Sequence, residues 1–232
     1  MDVKVEPYPR FTGVYQVILE DGSLRLATRN LAPGRNVYGE QLLKYAQDEY
    51  RLWDPFRSKL AAAVLKGLKH LAIGPDAKVL YLGAASGTTA SHVSDIISEG
   101  GNVFCVEFAP RSIRELIDNV CRFRVNMAPI LADARLPRKY AALVGRVDVI
   151  YCDIAQPEQA RILVTNADVF LKKDGWIMLA VKARSIDVTQ EPSEIYKREI
   201  RVLEENKFRI SEVIHLEPYD KAHAMIVAQR LH

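Results

Sequence analysis

Cysteine is scarce in this chain: Cys105, Cys121 and Cys152 are the only three, odd in number and without C-x-x-C spacing. That argues against a disulfide framework and against a cysteine metal site, and it fits free thiols in a reducing compartment, with no metal expected. Long apolar runs are missing too. Nothing approaches the roughly 20 residues of a membrane span, and Met1 to Glu6 lacks a signal-peptide layout. No membrane partner and a cytoplasmic location are therefore expected. An excess of one charge is also lacking, with 32 Lys/Arg against 29 Asp/Glu for a net +3. Residues 1–69 hold 11 Lys/Arg against 8 Asp/Glu, while residues 70–232 hold 21 of each. Such weak basicity does not by itself mark a nucleic-acid binder. Repeats and low-complexity segments are absent, and 232 residues suffice for one sizeable core.

What is present is a glycine-rich turn between an apolar run and a helical pattern. Val79-Leu80-Tyr81-Leu82 leads into Gly83-Ala84-Ala85-Ser86-Gly87-Thr88-Thr89, and a second run, Val103-Phe104-Cys105-Val106, delivers Glu107 and Phe108. This is the layout of a nucleotide-binding βαβ unit, with glycines for close approach and an acid for ribose hydroxyls. The turn is neither G-x-G-x-x-G nor a Walker loop with lysine. S-adenosyl-L-methionine fits better than a dinucleotide or a triphosphate, because it has a ribose but no pyrophosphate.

The surrounding pattern is α/β. Val14–Leu19 and Leu24–Thr28 flank a Gly-containing turn and read as a hairpin in a small β-rich N-terminal module, residues 1–50. The pattern from Gln41 reads as helical, and Asp54-Pro55 reads as N-cap and first turn of a helix reaching about Leu68. Strands are predicted at 78–82, 102–107, 129–132, 147–152 and 175–181, with helices near 88–99, 110–122, 157–170 and 193–206. Arg209–Leu216 and Ala224–Arg230 are joined too closely to run parallel. The whole predicts a doubly wound, Rossmann-like sheet of the S-adenosylmethionine-dependent methyltransferase type over 51–232, mostly parallel with one antiparallel strand near the end.

Ligands bind beyond the carboxyl ends of strands in such sheets. There the chain places Gly83 to Gly87, then Glu107, then Asp133-Ala134, then Asp153 with Gln156, then Lys182. Any one of these is commonplace in a turn; five strands in succession are not. Asp133 suits the exocyclic amine of adenine as an acceptor.

Five segments resemble fibrillarin, the box C/D 2′-O-methyltransferase family: 54–60 (DPFRSKL), 79–95, 133–137 (DARLP), 148–157 (DVIYCDIAQP) and Val181-Lys182-Ala183. With only 12 glycines the chain lacks a glycine/arginine-rich extension and is similar to the archaeal form. The resemblance implies a catalytic set of Lys59, Asp153, Lys182 and His223. It also implies S-adenosylmethionine contacts from Gly83 through Thr89, Glu107, Phe108, Asp133, Ala134, Asp153 and Gln156. Lys182, held by Asp153, would take the hydroxyl proton or stabilise the alkoxide, while Lys59 and His223 would position ribose and phosphate. The implied partners are a Nop-domain scaffold, a kink-turn-binding protein, a box C/D guide RNA and the rRNA or tRNA substrate. One departure stands out: the family usually carries an acid just before the histidine, and here that residue is Ala222. Candidate scaffold-docking residues include the aromatics Tyr45, Tyr50 and Trp53. Two rivals stay open from the residues, a protein (glutamine) methyltransferase and a non-catalytic particle component that binds the cofactor.

Overall fold

The computed structural model describes residues 3–187 and 189–231. Alternating, turn-bounded residues at the start pair as antiparallel strands β1 (Lys4–Pro7), β2 (Val14–Ile18) and β3 (Leu24–Arg29). Two more strands follow, β4 (Leu42–Tyr45) and β5 (Asp48–Trp53), giving the order β1-β2-β3-β5-β4. This corrects the helical reading from Gln41. The open edge of β3 decides the matter: Leu26 pairs with Trp53 and Thr28 with Arg51, which satisfies backbone groups that would otherwise be unpaired. Tyr50 and Trp53 are consequently core residues on a strand, not a docking face.

The next helix is also shorter than its sequence suggests. Asp54 caps a turn instead, its Oδ1 accepting from the Phe56 amide at 2.8 Å. Ser58, extended at φ −142°, is the true N-cap, and α1 runs Lys59–Leu65 with Leu60 to Val64 buried. A serine oxygen at this position satisfies one of the helix's orphan amides. Lys59 is thereby the first helical residue.

From here strands and helices alternate: β6 (Lys78–Leu82), α2 (Thr88–Ile97), β7 (Asn102–Glu107), α3 (Pro110–Asn119) and β8 (Met127–Leu131). The second half holds α4 (Ala141–Val144), β9 (Val147–Cys152), α5 (Gln159–Phe170), β10 (Leu171–Lys182) and α6 (Ala183–Ile186). It closes with α7 (Pro192–Glu205), β11 (Phe208–His215) and β12 (His223–Arg230). The sheet order is β11-β12-β10-β9-β6-β7-β8, and β12 runs antiparallel to both its neighbours while the other pairs are parallel. Apolar runs without alternation, such as Val79–Leu82, mark strands covered on both faces. The chain reverses its direction of travel across the sheet between β6 and β9, so the switch-point crevice opens where those two strands end.

Helix α2 is buried on every side from Thr89 to Ile97 because the N-terminal sheet covers it. The joint is polar. Arg51, fully buried, donates to Glu40 Oε1 (2.7 Å), Asp95 Oδ2 (2.9 Å) and Ser91 Oγ (2.8 Å), and Arg124 also reaches Asp95. Removing one partner from such a cluster leaves an uncompensated buried charge, a cost of about 3–5 kcal/mol. His92 lies within it, between Thr28 Oγ1 (2.7 Å) and Tyr38 Oη (2.8 Å). The Thr28 hydroxyl proton goes to Asp95 Oδ2, so His92 Nδ1 donates to Thr28 and Nε2 accepts from Tyr38. Burial first, then Arg51 and Arg124, hold this imidazole neutral, its pKa well below the ordinary value.

Candidate active site

Gly83 and Asp153 meet at the crevice. The Asp153 amide donates to Leu82 O (2.9 Å), and a Cβ on Gly83 would lie 2.6 Å from Asp153 O. With φ at +82°, only glycine fits this close approach of the two strand ends. Gly87, at φ +97°, turns the loop into α2, and a Cβ there would lie 2.7 Å from Leu116 Cδ1. Between them Ala85 takes φ +48° and donates its amide to Glu107 Oε2 at 2.8 Å, while Glu107 Oε1 accepts from Ala109 N at 2.8 Å. A carboxylate has about four lone-pair positions. Glu107 therefore shapes the loop and retains acceptors for a ligand.

Beside these residues lies a cavity of about 300 Å³. Of the residues anticipated for the cofactor, Gly83, Ala85, Glu107, Phe108, Asp133, Ala134, Asp153 and Gln156 line it, and Lys182 joins them. Ala84, Ser86, Gly87, Thr88 and Thr89 do not. Ala84 is buried under the loop, and the Thr89 hydroxyl turns inward to donate to Ser58 Oγ at 3.0 Å. Phe108 is 66% exposed and offers a ring face at the cavity mouth. Asp133 is not an open acceptor. Its two oxygens are engaged by Arg135, including the Nη2 contact at 2.6 Å, and that partner holds its carboxyl below the usual range. A DxR turn brings acid and guanidinium together locally, so a ligand at Asp133 has to share the carboxylate with Arg135.

The four anticipated catalytic residues converge. Lys182, at the end of β10, pairs in register with His223, the first residue of β12. Asp153 lies between two ammonium groups, 3.1 Å from Lys182 Nζ through Oδ1 and 3.2 Å from Lys59 Nζ through Oδ2. The Lys182 contact is an ion pair without an aligned hydrogen bond to Oδ1. Lys59 also lies 3.7 Å from Asp220 Oδ2, and Asp220 Oδ1 lies 2.8 Å from His223 Nδ1. Five ionisable groups thus form a row, Lys182, Asp153, Lys59, Asp220 and His223, in which each carboxylate stands between two nitrogen-bearing side chains. Their side chains are 13–33% exposed, sheltered enough for the pairs to matter and open enough to meet a ligand.

Three contacts of the site were not visible in the sequence. Asp220 is one. Another is Gln159, fully buried, whose Oε1 accepts from the Lys182 amide at 3.1 Å. The third is the Thr89–Ser58 bond, which joins the helix after the glycine turn to the helix bearing Lys59. Only an acid three residues before a histidine could have hinted at the first. Among the described residues there is no group of three or more His, Cys, Asp or Glu placed to hold a metal ion.

A family model described as fibrillarin matches residues 5–231. A relative from Staphylothermus marinus, named fibrillarin-like rRNA/tRNA 2′-O-methyltransferase, is 56% identical over 227 residues, covering 98% of this chain and 97% of its own. The crystal structure of Aeropyrum pernix fibrillarin in complex with natively bound S-adenosyl-L-methionine superposes with a TM-score of 0.92 at 56% identity, over 98% and 99% of the two chains. A fibrillarin/Nop5p complex matches with a TM-score of 0.84 at 42% identity, over 97% of this chain and 100% of the other. With the match running the length of the sheet and its N-terminal module alike, the chain belongs to the fibrillarin family.

Proposed function

We propose that this chain methylates ribose 2′-hydroxyls in rRNA and tRNA, as the catalytic subunit of a box C/D ribonucleoprotein particle. The observation that carries this reading is that Asp153 and Lys182 belong at once to the wall of the cavity and to the charged row. A methyl donor and a hydroxyl acceptor would meet there.

The residues present fit S-adenosyl-L-methionine. Glu107 keeps lone pairs for the ribose hydroxyls, Phe108 offers its ring to the adenine, and Asp153 and Gln156 stand at the polar end. Asp133 reaches the adenine amine once Arg135, itself largely exposed, yields part of its hold. When bound, the cofactor supplies an electrophilic methyl on a sulfonium, with S-adenosyl-L-homocysteine as the product.

The chain's own residues handle the hydroxyl. The single negative charge of Asp153 lies between two lysines, so the trio presents net positive charge where an alkoxide develops. Lys182 Nζ takes the hydroxyl proton when neutral and stabilises the oxyanion when charged; both roles require the fixed position that Asp153 gives it. Lys59 and His223 hold the ribose and its adjoining phosphate. General-base assistance contributes roughly 10²–10⁴-fold, whereas alignment of the reacting atoms contributes up to about 7–11 kcal/mol. Alignment is the larger effect, and it falls to the particle: guide RNA pairs with the target, a Nop-domain scaffold docks the enzyme, and a kink-turn-binding protein completes the assembly. No helix among the described residues is long and apolar enough to cross a membrane.

The test is transfer of labelled methyl to a guide-matched RNA in a reconstituted particle, beside the same RNA with a 2′-deoxy target nucleotide. Label on the first and none on the second is expected. Label on both, or on protein instead, overturns the ribose assignment; none in a correctly assembled particle supports a structural role.

A further inference from the structure

Residue 222 offers His223 no polar side chain, and the nearest carboxylate stands two residues earlier. Ala222 has no polar side chain, its amide donates to Glu217 Oε1 (2.8 Å), and its carbonyl accepts from the Ala183 amide (3.2 Å). It is a fixed part of the turn. Two residues earlier the chain folds back, with the amides of Tyr219 and Asp220 both donating to Leu216 O. That fold returns the Asp220 carboxylate to the row: Oδ1 lies 2.8 Å from His223 Nδ1 and Oδ2 lies 3.7 Å from Lys59 Nζ.

We propose that Asp220 is a positioning residue of this site, binding Lys59 and His223 to one carboxylate so that His223 presents Nε2 to the RNA. The proposal rests on the methyltransferase reading above. Nδ1 is hydrogen-bonded to the Lys221 carbonyl at 2.8 Å, and the Asp220 carboxylate stands at the same distance as an ion-pair contact without an aligned hydrogen bond. Neither group can donate, so Nδ1 carries the proton and Nε2 is the nitrogen left for a substrate. The charges are consistent with this. Without Asp220, Lys59 and Lys182 would share the single carboxylate of Asp153; with it, a second carboxylate stands between Lys59 and His223. Behind metal-bound imidazoles, an orienting carboxylate changes affinity or activity by about 10–100-fold, and an effect of that order is taken for this metal-free site.

The same geometry supplies a rescue. Ala222 takes φ +58°, a region in which aspartate and asparagine are far more common than alanine. An acid can therefore be introduced there without forcing the backbone.

Two measurements test the proposal. In the free protein, ¹⁵N NMR of the His223 ring, in its neutral form, is expected to show the proton on Nδ1; a proton on Nε2 overturns the assignment. In the assembled particle, Asp220→Ala is expected to lower single-turnover methyl transfer by about 10-fold or more with S-adenosyl-L-methionine affinity unchanged. Asp220→Glu and Asp220→Ala/Ala222→Asp are both expected to recover much of it. Full activity in Asp220→Ala overturns the proposal. So does a loss that neither carboxylate variant reverses, or one accompanied by loss of cofactor binding, since each would mark a purely structural role. If the wild-type particle itself fails to methylate RNA, the functional reading falls, while a change in the His223 ring spectrum between the wild-type protein and Asp220→Ala still decides whether Asp220 acts on the ring.

Discussion

Thr89 and Ser58 are joined side chain to side chain, Thr89 Oγ1 donating to Ser58 Oγ at 3.0 Å in a buried setting. Thr89 stands in the first turn of the helix that follows the glycine-rich loop, and Ser58 caps the helix whose first residue is Lys59. One hydrogen bond therefore ties the cofactor side of the site to the catalytic side. Substituting Ser58→Ala removes both the cap and this tie. A loss of about 1 kcal/mol in unfolding free energy is expected from the cap, together with a drop in methyl transfer at saturating cofactor as Lys59 loses its fixed position. Denaturant unfolding and single-turnover kinetics measured on the same preparation check the two parts separately.

Glu107 is an acceptor for two loop amides before any ligand arrives. Hydrogen bonds to a charged group contribute about 1.5–3 kcal/mol each. Glu107→Ala is thus expected to weaken S-adenosyl-L-methionine binding by about 10-fold or more, through loop disorder as well as lost ribose contacts. Calorimetric titration measures the affinity, and faster amide exchange at Ala85 and Ala109 would show the loop contribution.

Lys182→Ala removes the group nearest the site of reaction while Asp153 keeps Lys59 as a partner. Methyl transfer in the particle is expected to fall by about 10²–10⁴-fold, with the fold and the melting temperature little changed because Lys182 is held at the surface end of its strand. Quench-flow methylation of a matched RNA gives the number. A variant with near wild-type rate would remove Lys182 from the chemistry.

His92 makes stability depend on acid. Its folded pKa is depressed well below the ordinary 6.5, first by burial and then by Arg51 and Arg124. In the unfolded chain the imidazole protonates as pH falls through about 6.5, while in the folded chain it does not, so the unfolded state binds the extra proton. This contribution is complete above about pH 6.5 and is lost progressively below it, at up to about 1.4 kcal/mol per pH unit. His92→Gln lacks that proton and is expected to flatten the slope of unfolding free energy against pH between about 6.5 and 5, even though it is less stable at neutral pH. Urea unfolding at a series of pH values reads the slope directly.

The sheet and its rim were legible because they rest on local signals. The runs 78–82, 102–107 and 147–152 form β6, β7 and β9 at those bounds, and they deliver Gly83, Glu107 and Asp153 to the rim. The segment from Gln41 to Trp53 was not legible. Its apolar residues suit a helix face as well as a strand, and only the open edge of β3 selects the strand. The Asp54-Pro55 signal was genuine but marked a turn, because Ser58 was the better cap for the helix carrying Lys59.

Residue types and their spacing along the chain determined the doubly wound class, the glycine turn, Glu107, Asp153 and Lys182, since each is written within one strand-to-loop junction, whereas Lys59 and His223 were named by the resemblance to fibrillarin. Only the tertiary structure decided how the charges pair. Asp153 stands 94 residues from Lys59 and Asp220 stands two residues before Ala222, and no spacing says which carboxylate faces which cation. The same holds for Asp133, captured by Arg135, and for Thr89, turned inward to Ser58. A motif fixes what is delivered to the rim, but an ion pair is a matter of ångströms between segments distant in sequence, and those distances exist only once the sheet, the covering module and the β11–β12 turn have packed.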